Sequence, residues 1–177
     1  MIFIPSPNNP TGNLVTEVAV RELLDSGIVV VVDEAYYEFS GSTVALMVDK
    51  YPNLIVLRTF SKWAGLASLR IGYGVMHSIV AERLMAIKPP YNITAASELA
   101  LIASLDDKEL LLSRVGKLVQ SRENLFKELE GIKGLTPFPS KANFILCRVP
   151  TGKGSWLYNE LAKRGIFVRY YEKPPME

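Results

Sequence analysis

The 177-residue chain holds one cysteine and one histidine. A single cysteine, Cys147, excludes an internal disulfide framework and any multi-cysteine zinc site, and such sparing use is expected in a reduced compartment inside a cell. Cys147 falls in an apolar stretch and reads as a small core residue. The single histidine, His77, stands before a predicted helix and apart from the polar clusters. It reads as a surface residue and leaves no basis for a serine–histidine hydrolase. Excess charge is missing as well: 20 Lys+Arg stand against 18 Asp+Glu, a net charge of +2. That balance provides no basic stripe for nucleic acid. No stretch approaches the ~20 consecutive apolar residues of a membrane-spanning helix, and the longest clean run, Ile28 to Val32, has the length of a strand. Neither G-x-G-x-x-G nor G-x-x-x-x-G-K-[ST] occurs, so the Gly-rich phosphate loops of nucleotide-binding modules are absent.

What is present is ordinary globular composition, 49% hydrophobic and 21% charged. A chain of this length can bury roughly 70% of its unfolded surface, enough for one full domain. Met1-Ile2-Phe3-Ile4-Pro5 carries no basic leader and no targeting segment, and is expected to enter directly into a buried strand. The last residues, Tyr170 to Glu177, supply no closing element, and the expectation is an internal piece of a longer protein.

Residues 28–33, a β-branched run ending in Asp33, predict a central parallel strand buried on both faces, and residues 54–60 read the same way. A third strand is predicted over 70–76, where Gly72 and Gly74 point to close backbone packing. Between them, Thr16 caps a predicted helix that ends at Gly27, and Ser78 caps one over 79–88 that Pro89-Pro90 terminates. Thr94 starts a helix over 95–105. A long helix over 108–130 carries Leu111, Val115, Leu118, Leu125 and Leu129 near one face. Alternating strands and helices indicate an α/β domain with a mostly parallel sheet. A turn-rich junction at Gly131–Pro139 then leads to a predicted strand over 143–149, a helix over 155–164 and a strand over 166–169. The domain expectation is therefore 1–130, followed by the start of a smaller α+β domain over 131–177.

In open α/β sheets, ligands bind beyond the carboxyl ends of the strands. Here those ends deliver Asp33 and then Tyr36, Thr59 and then Ser61 and Lys62, with Asn8-Asn9-Pro10-Thr11-Gly12 after the opening segment. Each alone has a bland reading as surface charge, turn cap or core. Together they place an acid, a phenol, an amide, hydroxyls and a lysine around one crevice.

Ser6-Pro7-Asn8-Asn9-Pro10-Thr11-Gly12, Asp33-Glu34-Ala35-Tyr36 and Thr59-Phe60-Ser61-Lys62, with Arg70 eight positions beyond the lysine, resemble fold-type-I aminotransferases. These are pyridoxal 5′-phosphate (PLP) enzymes. The resemblance is nearest to the histidinol-phosphate aminotransferase branch, and Arg58-Thr59-Phe60-Ser61-Lys62 and Ser140-Lys141-Ala142-Asn143-Phe144 are similar to its plant-type members. It spans essentially the whole chain and implies an α/β fold: the central part of a PLP-transferase large domain plus the start of a small C-terminal domain.

Residue by residue, the resemblance implies that Lys62 forms the Schiff base with PLP and that Asp33 faces the pyridine nitrogen. Asn9 and Tyr36 would hold the ring's phenolic oxygen, and Asn9-Pro10 is a candidate cis bond. Thr59, Ser61 and Arg70 would form the phosphate cradle, where a guanidinium gives a charge-assisted pair. Arg169 matches an arginine directed at a substrate phosphate, beside a plain surface reading. Asn143 matches a substrate-proximal asparagine, beside a turn role. Ser68 stands where the family usually has glycine. No metal is implied.

The implied reaction is transamination of histidinol phosphate with 2-oxoglutarate, giving imidazole-acetol phosphate and glutamate. Other readings stay open: another aminotransferase or a phospho-amino-acid decarboxylase of this branch, or an inactive truncated remnant. Partners implied are small amino acid and 2-oxo acid substrates and, in the full-length parent, a second copy in a homodimer. Neither nucleic acid nor membrane is among them. The compartment implied is the plastid in a plant and the cytoplasm otherwise. Because parallel strands need cover on both faces, the isolated chain is expected to expose apolar surface and to aggregate or require a partner.

Overall fold

A computed structural model describes residues 1–172. Its centre is a four-stranded sheet in the order β1 (Ile2–Pro5), β2 (Val30–Asp33), β3 (Leu54–Thr59), β4 (Gly72–Met76). The first three strands run parallel in continuous register, Ile2 to Val30 and Val30 to Leu54, and β4 returns antiparallel to β3. β2 is buried between its two neighbours, Val30, Val31 and Val32 all being closed to solvent. The expected buried entry strand is instead an edge strand whose Phe3 is 66% exposed. A strand paired on one side only leaves its outer flank uncovered.

α1 (Glu17–Asp25) starts at Thr16, whose side chain accepts from the Ala19 N–H, and buries Val20 and Leu24 beneath the sheet. With Val30, Val32, Leu54 and Val56, these form the main core. β4 lies close to β3 because Gly72 has no side chain. A Cβ there would stand 2.6 Å from the Arg58 carbonyl oxygen.

α2 (Tyr37–Ser40) follows β2. α3 (Ser78–Ile87) is capped by His77, not by Ser78: the His77 backbone is extended and its Nδ1 accepts from the Ile79 N–H, while Ser78 is already helical. His77 is therefore a half-buried cap. α4 (Ala95–Asp106) begins at Thr94 as the sequence predicts, and α5 (Lys108–Glu130) matches the expected long helix.

The buried stripe of α5 runs through Leu111, Val115, Val119, Arg122 and Phe126, leaving Leu118 and Leu125 on an exposed shoulder. The reason is Arg122, which an apolar count passes over. Its guanidinium donates to the Ala142 carbonyl at 2.7 Å and turns the helix toward the following segment.

Beyond α5, the pairing is brief. β5 (Thr136–Pro137) and β6 (Cys147–Arg148) form a two-stranded antiparallel sheet, and α6 (Gly154–Lys163) follows. The strand expected over 143–149 is thus reduced to two residues. Cys147 is half-buried, and burial raises its thiol pKa. The strand expected over 166–169 does not form: Ile166, Phe167 and Val168 are exposed, and no strand pairs with them among the described residues. Backbone N–H and C=O groups without a neighbour have no reason to stay extended.

No helix among the described residues is long and apolar enough to cross a membrane. Ile79, Met85, Ile87, Tyr91, Leu99 and Ile102, on and around α3 and α4, all stand exposed. Apolar side chains left in water in this number promote association. The purified chain is expected to self-associate and to bind a hydrophobic dye at micromolar concentration. Light scattering that reports a monodisperse monomer without dye uptake would contradict this.

Glu38, in the first turn of α2, is the other weak point. Burial lifts its carboxyl pKa to about 7, against smaller opposing effects from a backbone hydrogen bond and Arg58. A folded-state pKa above the unfolded value means that the folded protein keeps a proton that the unfolded chain has lost. Stability therefore falls as pH rises from about 4.5 to about 7 and then levels. Glu38→Gln is expected to raise stability at pH 8 by about 1 kcal/mol, discounted for partial exposure. Urea midpoints at pH 4 and pH 8 test it, with no gain expected at pH 4.

Candidate active site

β1, β2 and β3 are parallel, so their carboxyl ends meet at one edge, and the chain leaves each of them as a loop. At the β2 end, the Asp33 carboxylate accepts from the Ala35 N–H at 3.0 Å, and the Asp33 carbonyl accepts from Ser6 N–H at 2.9 Å. Three residues on, Tyr36 is buried. Its ring packs edge-to-face with Phe144, 5.3 Å between centroids and 86° between planes.

The loop after β1 brings Asn9 to the same place. Asn8 and Asn13 close it through the bond from Asn8 N–H to the Asn13 carbonyl, 2.9 Å, and the Gly12 N–H donates to the Asn8 carbonyl at 2.7 Å. Ser6-Pro7 and Asn9-Pro10 are both cis, the second as expected. The Asn9 Nδ2 donates to the Tyr36 hydroxyl at 3.0 Å. At the β3 end, the Thr59 hydroxyl lies 2.9 Å from the Ser61 hydroxyl and 3.2 Å from the Ile71 carbonyl, and accepts from the Ser61 N–H at 3.1 Å.

Lys62 follows on a loop pinned from beneath. Phe60, Ala64 and Ile71 are buried together, and the Phe60 N–H donates to the Ile71 carbonyl at 3.2 Å. The exposed Lys62 ammonium stands 5.6 Å from the centre of the Tyr36 ring.

Asn9, Asp33, Tyr36 and Lys62, with Pro5, Pro7 and Ala35, line one open cleft of about 370 Å³. The acid and the amine expected to bracket one ring therefore share a wall and lie on the same side of the sheet. Thr59 and Ser61 sit at the adjoining strand end. Arg70 occupies the corner before β4 in a left-handed conformation, φ 56°, and its guanidinium donates to the Ala67 carbonyl at 2.9 Å. Its neighbour Ile71 carries the carbonyl beside Thr59.

Asn143 and Arg169 do not line the cleft. Asn143 is exposed between buried Ala142 and the Phe144 that packs on Tyr36. Arg169 is exposed beyond α6, 5.9 Å from the Tyr171 ring.

Sequence reasoning gave no role to Glu34, Arg58 or Phe144, although Glu34 follows Asp33 and Arg58 precedes Thr59. An acid and an arginine each one residue from a strand-end group was the available signal. Phe144 offered none, because only the fold brings residue 144 to residue 36. The same segment holds the Asn9 loop: Lys141 N–H donates to the Gly12 carbonyl at 2.7 Å.

Gly12 has φ +75°, and a Cβ on it would stand 2.9 Å from the Ser140 Cα. Gly41 has φ +67° with nothing within 4 Å. Gly41→Ala is therefore expected to cost about 1 kcal/mol of backbone strain, and Gly12→Ala at least about 2 kcal/mol more through the added clash. Equal losses in urea unfolding would show that residue 140 does not confine the loop.

The chain matches proteins of known sequence along its whole length. A family model described as aminotransferase class I and II covers residues 1–176. A histidinol-phosphate aminotransferase of Dehalococcoides mccartyi is 48% identical over 177 residues, which is 100% of this chain and 49% of that protein. Histidinol-phosphate aminotransferase 1, chloroplastic, of Arabidopsis thaliana is 46% identical over 178 residues, 99% of this chain and 43% of that one. Among solved structures, histidinol-phosphate aminotransferase from Sinorhizobium meliloti, in complex with pyridoxal-5′-phosphate, superposes with a TM-score of 0.85 at 27% identity. That match covers 98% of this chain and 50% of that one. The chain spans about half the length of the curated relatives it matches. On the match over nearly every residue, and with an α/β architecture shared with solved members, the chain belongs to the class I and II aminotransferase family.

Proposed function

We propose that this chain carries the PLP-binding part of an aminotransferase that exchanges an amino group between histidinol phosphate and 2-oxoglutarate. The observation that carries the reading is the shared cleft, in which Lys62 and Asp33, delivered by two different strand ends, stand with the Asn9–Tyr36 pair. The donor set fits PLP: an amine for its aldehyde, a carboxylate for its ring nitrogen, an amide and a phenol for its ring oxygen, and, for its phosphate, two hydroxyls at the β3 end and a guanidinium at the corner before β4. When bound, PLP supplies an electron sink for the electrons released as the substrate Cα–H bond breaks.

The chain's own residues do the rest. Lys62, projecting into the cleft on a pinned loop, is the base that takes the α-proton and returns it. The Asp33 carboxylate holds the proton on the ring nitrogen. The Tyr36 oxygen accepts from Asn9, so its own O–H proton is free to donate into the cleft. Ser61 and Thr59 offer hydroxyl donors at the β3 end. Arg70, whose guanidinium donates to the Ala67 carbonyl, would hold the phosphate as a charged acceptor, a stronger partner for a guanidinium.

Arg169 is proposed to face the substrate phosphate and Asn143 to approach the substrate, both outside the cleft wall. Residues 1–130 are proposed as the cofactor-binding domain and 131–177 as the start of a smaller one. This follows the division between the four-stranded sheet and the two-stranded one. Two copies are proposed to pair in the full-length protein. The compartment proposed is the plastid for a plant chain and the cytoplasm for a bacterial one.

The test is reductive trapping. Protein incubated with PLP and treated with borohydride is expected to carry the label on Lys62 alone, and Lys62→Ala is expected to carry none. Label on another lysine, or none on the wild type, would overturn the assignment. In the full-length protein, a single half-reaction with histidinol phosphate is expected to outpace one with phenylalanine by about 100-fold, about 3 kcal/mol of transition-state binding.

A further inference from the structure

Glu34 is the most buried acid near the site, 2% exposed. Its carboxylate accepts from four donors: the Val44 N–H at 2.8 Å, the Thr43 hydroxyl at 2.8 Å, and the Arg58 Nε and Nη2 at 3.0 and 2.9 Å. Arg58 also donates to the Thr43 hydroxyl at 2.8 Å and lies 3.6 Å from the centre of the Tyr37 ring. Burial works against the charge on Arg58, yet hydrogen bonds with Tyr73 and Glu34 raise its pKa above the ordinary value.

A buried ion pair is rarely a net source of stability, because two apolar side chains would fill the space at lower desolvation cost. What it supplies is fixed geometry, since a planar guanidinium admits few arrangements on a carboxylate. The place where that geometry is spent is informative. The β2–β3 register ends at Asp33 with Leu57, and the last main-chain bond across is from Glu34 N–H to the Leu57 carbonyl, 2.8 Å. Beyond it, β2 turns into α2 while β3 continues to Thr59. The Glu34–Arg58 pair is the link that carries the connection past the end of the ladder. Glu34 follows Asp33, Arg58 precedes Thr59, and Tyr37, under the guanidinium, follows Tyr36.

We propose that Glu34 and Arg58 are positioning residues whose buried pair sets the separation between the strand end bearing Asp33 and Tyr36 and the strand end bearing Thr59, Ser61 and Lys62. Neither touches the cleft. Their relevance to PLP rests on the function proposed above, whereas the clamp itself is a property of the chain.

Amide hydrogen exchange of the protein without cofactor tests the clamp, read at Ala35 and Phe60 against the sheet centre at Val31–Val32 and Ile55–Val56. Glu34→Gln is expected to speed exchange at both strand ends by about tenfold or more while the sheet centre stays within about twofold. Arg58→Lys, which keeps the charge and loses the two-donor fork, is expected to give a smaller rise at the same amides. It serves as the second variant should Glu34→Gln fail to fold. In the cofactor arm, both variants are expected to weaken PLP binding by about tenfold with Lys62 and Asp33 intact.

Uniform acceleration across the sheet would reduce the pair to a general stabiliser and overturn the proposal. So would a rise confined to Thr43 and Val44, or none at all. If wild-type protein takes up no PLP, the functional reading falls while the exchange pattern still decides the clamp.

Discussion

Three parallel strands ending at one edge are the constraint from which the rest follows. Parallel pairing makes β1, β2 and β3 point the same way, so every segment that leaves them leaves at the same side of the sheet. Asn9, Asp33 and Lys62 are dozens of residues apart in places, yet the register Ile2–Val30–Leu54 brings the loops that carry them around one cleft. β4 reverses direction and contributes differently. It covers the flank of β3 through Gly72 and presents Arg70 at the corner where the chain turns back.

The edge would be of little use if its loops were loose. Two supports hold them. From below, Phe60, Ala64 and Ile71 bury the base of the Lys62 loop. From the side, the segment around residues 140–144 holds the Asn9 loop through the Lys141 N–H, which donates to the Gly12 carbonyl, and packs on Tyr36 with Phe144. That segment is itself fixed by Arg122 on α5 through the Ala142 carbonyl. A helix that contributes no group to the cleft therefore decides how the cleft is shaped. The chemistry asks for separations held within fractions of an ångström, and packed supports of this kind provide them.

Much of this was legible in the residues. The run Val30–Val32 could hardly be anything but an interior strand, because β-branched residues without alternation suit burial on both faces. Thr16 and Thr94 announced their helices through hydroxyls placed to accept an N–H, and both do so. Asp33, Tyr36 and Lys62 were readable from their position at strand ends. Other features were not legible. Leu118 and Leu125 look like core from spacing, and become a shoulder because Arg122 has a buried acceptor to reach. His77 displaces Ser78 as a cap by one residue of backbone conformation. Ile166–Arg169 has strand composition and stays unpaired, since β-propensity has no effect without a neighbour.

By itself, the sequence determined most helices, the buried strand β2 and the inventory of reactive groups, because periodicity, capping and β-branching act over a few neighbouring residues. Only the tertiary structure decided which groups meet. The approach of Asn9 to Tyr36, the T-shaped contact of Phe144 with that ring and the pairing of Glu34 with Arg58 each span from about twenty to over a hundred residues. Such contacts are set by register, by the direction of strands and by the packing of helices, which are properties of the whole fold and leave no local mark on the chain.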